Sequence, residues 1–403
     1  MTDTPGATKL PRAVWFFGAT SLANDFASEM IYPLLPAFVT GVLGGGALAL
    51  GILDGAADTV AAAFKLVSGY LADRPRLRGP LVVAGYAIAA LVRPFIAAAE
   101  AAWHVIGLRA ADRVGKGIRT APRDTMIADV TAAGMHGRAF GLHRAADHVG
   151  AILGPLTAAG LIYAGVALRH AFWMAVIPGL VAVGLAAAAV REAGVRGPGS
   201  GVRESQAPDP APRNPDPAGF RTTITILVLA AALRAPDTLL ILRAQDLGVP
   251  VALVPILWAA LHVVRSSASY PGGTLADRWG PRRTLAVGWT VYVALAVAFA
   301  LARTTVQAWA IFLAFGIFVG LTESPERKLV AQLAPGGRRG RGFGWYHGSL
   351  SAVALPGAAL FGWLYQSRGA ATAFVASAAV TVLATLALPL SSSASAPRSR
   401  TAS

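Results

Sequence analysis

HVIGLRAADRVGKGIRTAPRDTMIADVTAAGMHGRAFGLHRAADHVGAILGP, residues His104 to Pro155, sets two demands against each other. It sits among segments apolar enough to span a bilayer, yet it holds Arg109, Asp112, Arg113, Lys116, Arg119, Arg123 and Asp124. An Arg, Lys or Asp at the centre of a membrane helix costs roughly 2.5–3.5 kcal/mol on insertion scales, so several of them cannot face lipid together. At about 100° per residue, Arg109, Asp112, Arg113, Lys116, Thr120 and Arg123 fall within an arc of about 100° on one helix face. A helix with one charged stripe and one apolar stripe lies against a protein interior or a water-filled path. That pattern is the mark of a conduit.

The rest of the chain agrees. Of 403 residues, 55% are hydrophobic and only 14% charged, against about 25% charged in soluble proteins. The deficit predicts an all-α membrane protein, long enough for 12 transmembrane helices of about 20–25 residues with short loops. The net charge of +15 would suggest nucleic acid in a soluble protein, but here the basic residues gather in alternate loops. With no cysteine, disulfides, thiolate metal sites and thiol nucleophiles are excluded. The first apolar run contains Asp25 and Glu29 and no small-residue cleavage site, so it reads as the first span rather than a signal peptide.

Spans are predicted near 13–39, 46–71, 80–100, 102–127, 138–164 and 170–190, then near 222–244, 250–272, 283–303, 306–332, 341–366 and 370–391. This divides the chain into an N-terminal six-helix bundle (1–190), a Pro/Gly-rich charged linker (191–221), a C-terminal six-helix bundle (222–391) and a disordered tail (392–403). Arg74, Arg76 and Arg78, the linker arginines, Arg278, Arg282 and Arg283, and Arg338, Arg339 and Arg341 all fall on one side. The opposite loops hold little beyond Arg169, Arg243, Arg303 and Arg368. The asymmetry places the linker and both termini in the cytoplasm and the chain in the cell membrane.

The halves repeat. Gly69-Tyr-Leu-Ala-Asp73-Arg74 recurs as Gly273-Thr-Leu-Ala-Asp277-Arg278, an offset of 204. The stretch from Pro122 through Gly137-Arg-Ala-Phe-Gly141 recurs from Pro325 through Gly340-Arg-Gly-Phe-Gly344, an offset of 203. Two motifs at nearly one spacing mean a duplicated unit, two parallel six-helix repeats. The Gly-x-x-x-Asp-Arg loop resembles the signature of the major facilitator superfamily, and the likeness extends over essentially the whole chain. It implies that Gly69, Asp73, Arg74, Gly273, Asp277 and Arg278 form gating loops. Arg109 and Gly115 are similar to that family's fourth-span pattern. Gly141, Gly150, Gly154 and Pro155 resemble, in spacing, the fifth-span motif of its proton-coupled drug antiporters. That resemblance implies a hinge associated with export.

Polar side chains inside the spans are functional candidates by default. Asp25, Glu29 and Tyr32 share a face of the first span; Asp58 lies with Asp54 and Lys65 on the second. Arg144, Asp147 and His148 stand at i, i+3 and i+4 on the fifth, where a histidine could relay protons. Asp25, Glu29, Asp58, Asp147 and His148 are therefore proton-coupling candidates. Cavity candidates in the first half are Tyr32, Arg109, Asp112, Arg113, Lys116 and Arg144. In the second half they are Arg234 with Asp237, read as an i, i+3 pair, together with Trp258, His262, Arg265 and Glu323. No metal or cofactor is expected; His143 and His148 point to different faces.

There is no Gly-rich phosphate loop, His-Glu-x-x-His or Gly-x-Ser-x-Gly, so an enzyme is not indicated. The expectation is a monomeric secondary transporter working by alternating access, exporting a small organic solute against protons. The many intramembrane cations, Arg93 among them, suggest an anionic group on that solute. Uptake of an anionic metabolite or siderophore is the rival, and a membrane sensor or scaffold on a transporter fold a more distant one.

Overall fold

The apolar spans do become helices, and their breaks fall where the chemistry of proline and charge puts them. A computed structural model describes residues 10–72, 74–131, 135–195, 217–333 and 339–389. Asp73, most of the predicted linker and the predicted tail lie outside the described residues. Among those described, every regular element is helical: α1 (Arg12–Ile31), α2 (Ala47–Ala72), α3 (Pro75–Val92), α4 (Ala102–Asp129), α5 (His136–Tyr163), α6 (Leu168–Met174) and α7 (Val176–Val195). They continue as α8 (Pro217–Ala231), α9 (Asp237–Asp246), α10 (Val254–Arg278), α11 (Pro281–Leu301), α12 (Thr305–Leu333), α13 (Arg339–Arg368) and α14 (Ala370–Ala387). Nine of the described segments are long and apolar enough to cross a bilayer. The three remaining predicted spans are the polar or interrupted ones: α1, which carries Asn24, Asp25 and Glu29; α4, with its ionic stripe; and the α8–α9 pair.

The seventh span, read from sequence as one helix over 222–244, is broken. α8 ends at Ala231 and α9 restarts at Asp237 after Pro236, which can donate no backbone hydrogen bond. Inside a membrane a break stands only where protein satisfies the freed backbone groups. Here the Ala235 N–H donates to the Tyr292 hydroxyl at 2.8 Å. The Thr238 N–H and hydroxyl both donate to Asp54 Oδ2, at 3.0 and 2.7 Å. Asp54 thus caps the start of α9. The first span bends too: after Ile31, Pro33 and Pro36 carry it through a 3₁₀ turn and a π turn to Val42.

The helices fall into two compact units. One comprises Met1–Gly45, Val60–Gln206 and Pro250–His262; the other comprises Gly46–Thr59, Ala207–Val249 and Val263–Ser403. Within the first, α1 packs along α5 and α7, and α3 along α4 and α7. Within the second, α8 packs along α13 and α14, and α11 along α12 and α14. Each pairing of the first repeat has its counterpart in the second, so the sequence duplication is also a duplication of packing.

The filling differs. The first unit's core is largely alanine (Ala13, Ala23, Ala182, Ala186, Ala189) around Phe17 and Tyr86; small side chains let apolar helices approach where lipid offers no hydrophobic drive. The second is aromatic: Phe299 and Phe361 lie 5.4 and 5.2 Å from Phe374, and Phe299 stacks on Phe315 at 5.6 Å.

In the first unit α1 and α5 approach backbone to backbone. A Cβ added to Gly154 would run into the Phe26 carbonyl oxygen, and one added to Gly150 into that of Leu22. Gly141, by contrast, has open space around it. Gly154→Val should destabilise the purified protein by about 1–3 kcal/mol through overpacking, read as a lower melting midpoint. Gly141→Ala should leave the midpoint unchanged or raise it slightly. Equal behaviour of the two variants would mean the α1–α5 crossing is not at Gly154.

Candidate functional site

The charged stripe of α4 finds its partners inside the first unit. Arg93, Arg109 and Asp112 retain 3%, 2% and 0% of their surface. Charge buried this deeply persists only when paired and hydrogen-bonded. Arg93 Nε donates to Asp112 Oδ1 at 2.8 Å, and Arg109 Nη1 to Oδ2 at 3.3 Å. Arg113 stands 4.0 Å from the same oxygen. One carboxylate therefore serves three guanidiniums, and the cluster is cationic. Its surplus charge is spread over other groups. Arg93 Nη1 donates to the Asn24 carbonyl at 3.0 Å, and the Arg109 guanidinium lies over the Tyr32 ring, 4.7 Å from its centre, a cation–π contact.

From Tyr32 the network continues. Its ring meets that of Trp258 at 5.1 Å, and Trp258 Nε1 donates to Glu29 Oε2 at 2.7 Å. His262 adds an edge-on contact with the same indole at 5.1 Å. Seven residues named from sequence alone (Glu29, Tyr32, Arg109, Asp112, Arg113, Trp258 and His262) thus share one polar and aromatic seam.

Other candidates fall elsewhere. Asp25 accepts from Asn24 Nδ2 at 2.8 Å. Asp147 accepts from the Ser21 hydroxyl, with Arg144 Nη1 at 3.8 Å. His143 Nδ1 lies 3.5 Å from Asp147 Oδ2. The i, i+4 spacing of His143 and Asp147 was the signal for this. Asp58 and Lys116 are exposed. Among the described residues no three His, Cys, Asp or Glu side chains gather into a metal site.

The second unit holds a cavity of about 280 Å³ at the break between α8 and α9. Arg234, Asp237, Arg265 and Glu323 line it, as do Glu326 and an aromatic wall of Tyr292, Phe315 and Phe318. The i, i+3 pairing of Arg234 with Asp237 does not form, because the break removes the helical geometry it requires. Asp237 instead accepts from Arg265 Nη2 at 2.9 Å. Arg234 faces Glu326 at 3.6 Å, and Glu326 also accepts from the Tyr346 hydroxyl at 2.7 Å. Glu323 is exposed and bonds Arg327 at 2.6 Å. Tyr292 and Tyr346 are cavity or cavity-supporting residues that sequence reading did not assign. Glu326 is legible there as the partner of Glu323 on the inner face of the tenth span.

The duplicated loops anchor helix ends in both copies. Arg78 Nε donates to the Ala72 carbonyl at 2.6 Å while its Nη1 pairs with Asp129 at 2.5 Å. At the matching place in the second copy, Lys328 Nζ donates to the Ala276 carbonyl at 3.1 Å and pairs with Asp277 at 2.5 Å. Both carbonyls close a helix C-terminus, where a cation is favourable, but the cation comes from different helices. Arg74 and Arg278 are exposed.

The family model described as Major Facilitator Superfamily matches residues 17–325 and 218–402. An uncharacterized protein of Mycobacterium tuberculosis is 32% identical over 385 residues, covering 90% of this chain and 89% of that one. An uncharacterized MFS-type transporter of Methanocaldococcus jannaschii is 27% identical over 376 residues, covering 89% of each. Among solved structures, a bacterial homolog of the human lysosomal transporter Spinster superposes with a TM-score of 0.75 at 14% identity, over 96% of this chain and 98% of that one.

The cationic cluster makes a direct prediction. Asp112→Asn removes the counter-charge of buried guanidiniums and should cost about 3–5 kcal/mol, seen as poor yield and a strongly lowered melting midpoint. Replacing the carboxylate together with all three guanidiniums, Asp112→Leu with Arg93→Met, Arg109→Met and Arg113→Met, should recover most of that loss. An Asp112→Asn protein that melts with the wild type would remove the carboxylate from this role.

Proposed function

The chain belongs to the Major Facilitator Superfamily and is a multi-pass membrane transporter rather than an enzyme, and from that premise we propose that it works by alternating access as a proton-coupled exporter of a small organic solute. The observation that carries the coupling is the bond from Trp258 Nε1 to Glu29 Oε2, 2.7 Å long and set beside the Tyr32–Arg109–Asp112 network. A carboxylate accepts a hydrogen bond strongly when ionised and weakly when protonated. Proton uptake at Glu29 loosens the contact between α1 and the start of α10. Proton release restores it. Asp25, a turn away on the same helix, shares the duty.

Export is supported by the α1–α5 crossing, where Gly150, Gly154 and Pro155 carry the motif spacing of antiporters and where α5 lies backbone to backbone against α1. The Lys328–Asp277 pair is read as a latch at the cytoplasmic end, with Asp73 its partner in the first copy. The orientation, with both termini and the linker inside the cell membrane, follows from the loop arginines.

Inverted membrane vesicles made acid inside by respiration test the reading. A solute from a library of organic acids, bases and neutral amphiphiles should discharge the gradient, followed with a pH-sensitive dye, and accumulate inside. Glu29→Gln with Asp25→Asn should abolish the discharge while leaving solute binding intact. Accumulation in whole cells that a protonophore collapses would establish uptake instead, and a wild-type protein that moves no solute would end the transport mechanism. Asp277→Asn and Lys328→Ala should each slow turnover at normal expression, and the double variant should be no slower than either, as for partners in one pair. Additive losses would dissolve the latch.

A further inference from the structure

The cavity at the α8–α9 break has more to say than that a solute binds. Its three acids are already engaged: Asp237 by Arg265 at 2.9 Å, Glu323 by Arg327 at 2.6 Å, and Glu326 by the Tyr346 hydroxyl at 2.7 Å. Arg234 is different. Its only close acid, Glu326, is 3.6 Å away, beyond hydrogen-bond reach, and among the described residues no side chain or carbonyl accepts a hydrogen bond from it. Five N–H donors in a planar fork are held beside the Phe318 ring at 5.2 Å, with 30% of the side chain still accessible.

We infer that this cavity takes a small organic monoanion, a carboxylate seated on the Arg234 guanidinium with an aromatic or compact apolar body against Phe315 and Phe318. The inference rests on the transport reading and supplies its solute class. A guanidinium fork matches a carboxylate in two parallel hydrogen bonds. A cationic ligand would have to win an acid from a partner that already holds it. The wall is braced: Tyr292 meets Phe318 at 4.9 Å and Phe315 at 5.8 Å. The Tyr292 hydroxyl is committed to Ala235 N–H and Ser377, so that residue offers its ring face and not a further hydrogen bond. A volume of about 280 Å³ is at the small end for ligand sites, which suits one or two rings.

The test uses the full-length protein purified in detergent and titrated with benzoate, phenylacetate and 1-naphthoate, each beside its neutral amide, and with benzylamine. At least one acid should bind roughly tenfold or more tightly than its amide and than benzylamine. Arg234→Gln should weaken the acid on the order of 10- to 100-fold, the range for losing charged hydrogen bonds, and leave the amide nearly unchanged. Arg234→Gln with Glu326→Gln, which leaves no buried carboxylate unpaired, should do the same if the single variant folds poorly. Arg234→Lys, with the charge but not the fork, should fall between. Acid and amide binding alike, benzylamine binding more tightly, no binding by any of the acids, or a preference that survives both glutamine variants would each overturn the inference. Acid binding governed by Arg234 in a protein that moves no solute in vesicles would sink the transport reading and keep this one. Solute-driven proton discharge untouched by Arg234→Gln would do the reverse.

Discussion

One carboxylate holds the first unit's interior together. Asp112, without exposed surface, is bonded by Arg93 at 2.8 Å and Arg109 at 3.3 Å, and it fastens α4 to the end of α3. Without it, those guanidiniums would be uncompensated charges among alanine-packed helices. The cluster is left with more cations than anions, and the neighbouring groups answer that imbalance: the Tyr32 ring under Arg109, the Asn24 carbonyl on Arg93 and, one contact further, Trp258 and Glu29. The polar seam is a consequence of burying the charge in the first place.

The two repeats share a packing frame and have put different chemistry into it. Helix pairings recur one for one, yet alanine fills one core and aromatic rings the other. The equivalent carbonyls at the duplicated loops, Ala72 and Ala276, are each met by a cation, Arg78 from the following helix in one copy and Lys328 from two helices on in the other. The sites have diverged in the same way. One repeat buries ions along the unbroken fourth span. The other breaks its first span, has the break satisfied by its own Tyr292 and by Asp54 of α2, and opens a ring-walled cavity beside Arg234.

Much of this was legible in the chain. Helix positions followed from apolar length, though helices opened by proline start earlier than the apolar run, at Pro75 against 80 expected and at Pro281 against 283. The stripe of α4 had to be buried because lipid cannot hold it, and seven members of the seam were nameable because an ionisable or amphipathic side chain in a span requires a partner. The break after Ala231 was less legible: Pro236 was visible, but a proline also sits inside α5, α10, α12 and α13 without ending them.

What the sequence determined by itself is the class: a duplicated set of apolar helices with charge on inner faces, because the cost of exposing charge to hydrocarbon is a property of composition and period. What only the tertiary structure decided is which charge meets which. Arg234 faces Glu326 and not Asp237, Asp147 sits beside His143, and Asp54 caps a helix. Pairing depends on distances of 3–4 Å between groups far apart along the chain, and a helical period fixes a residue's face but not what is packed against it.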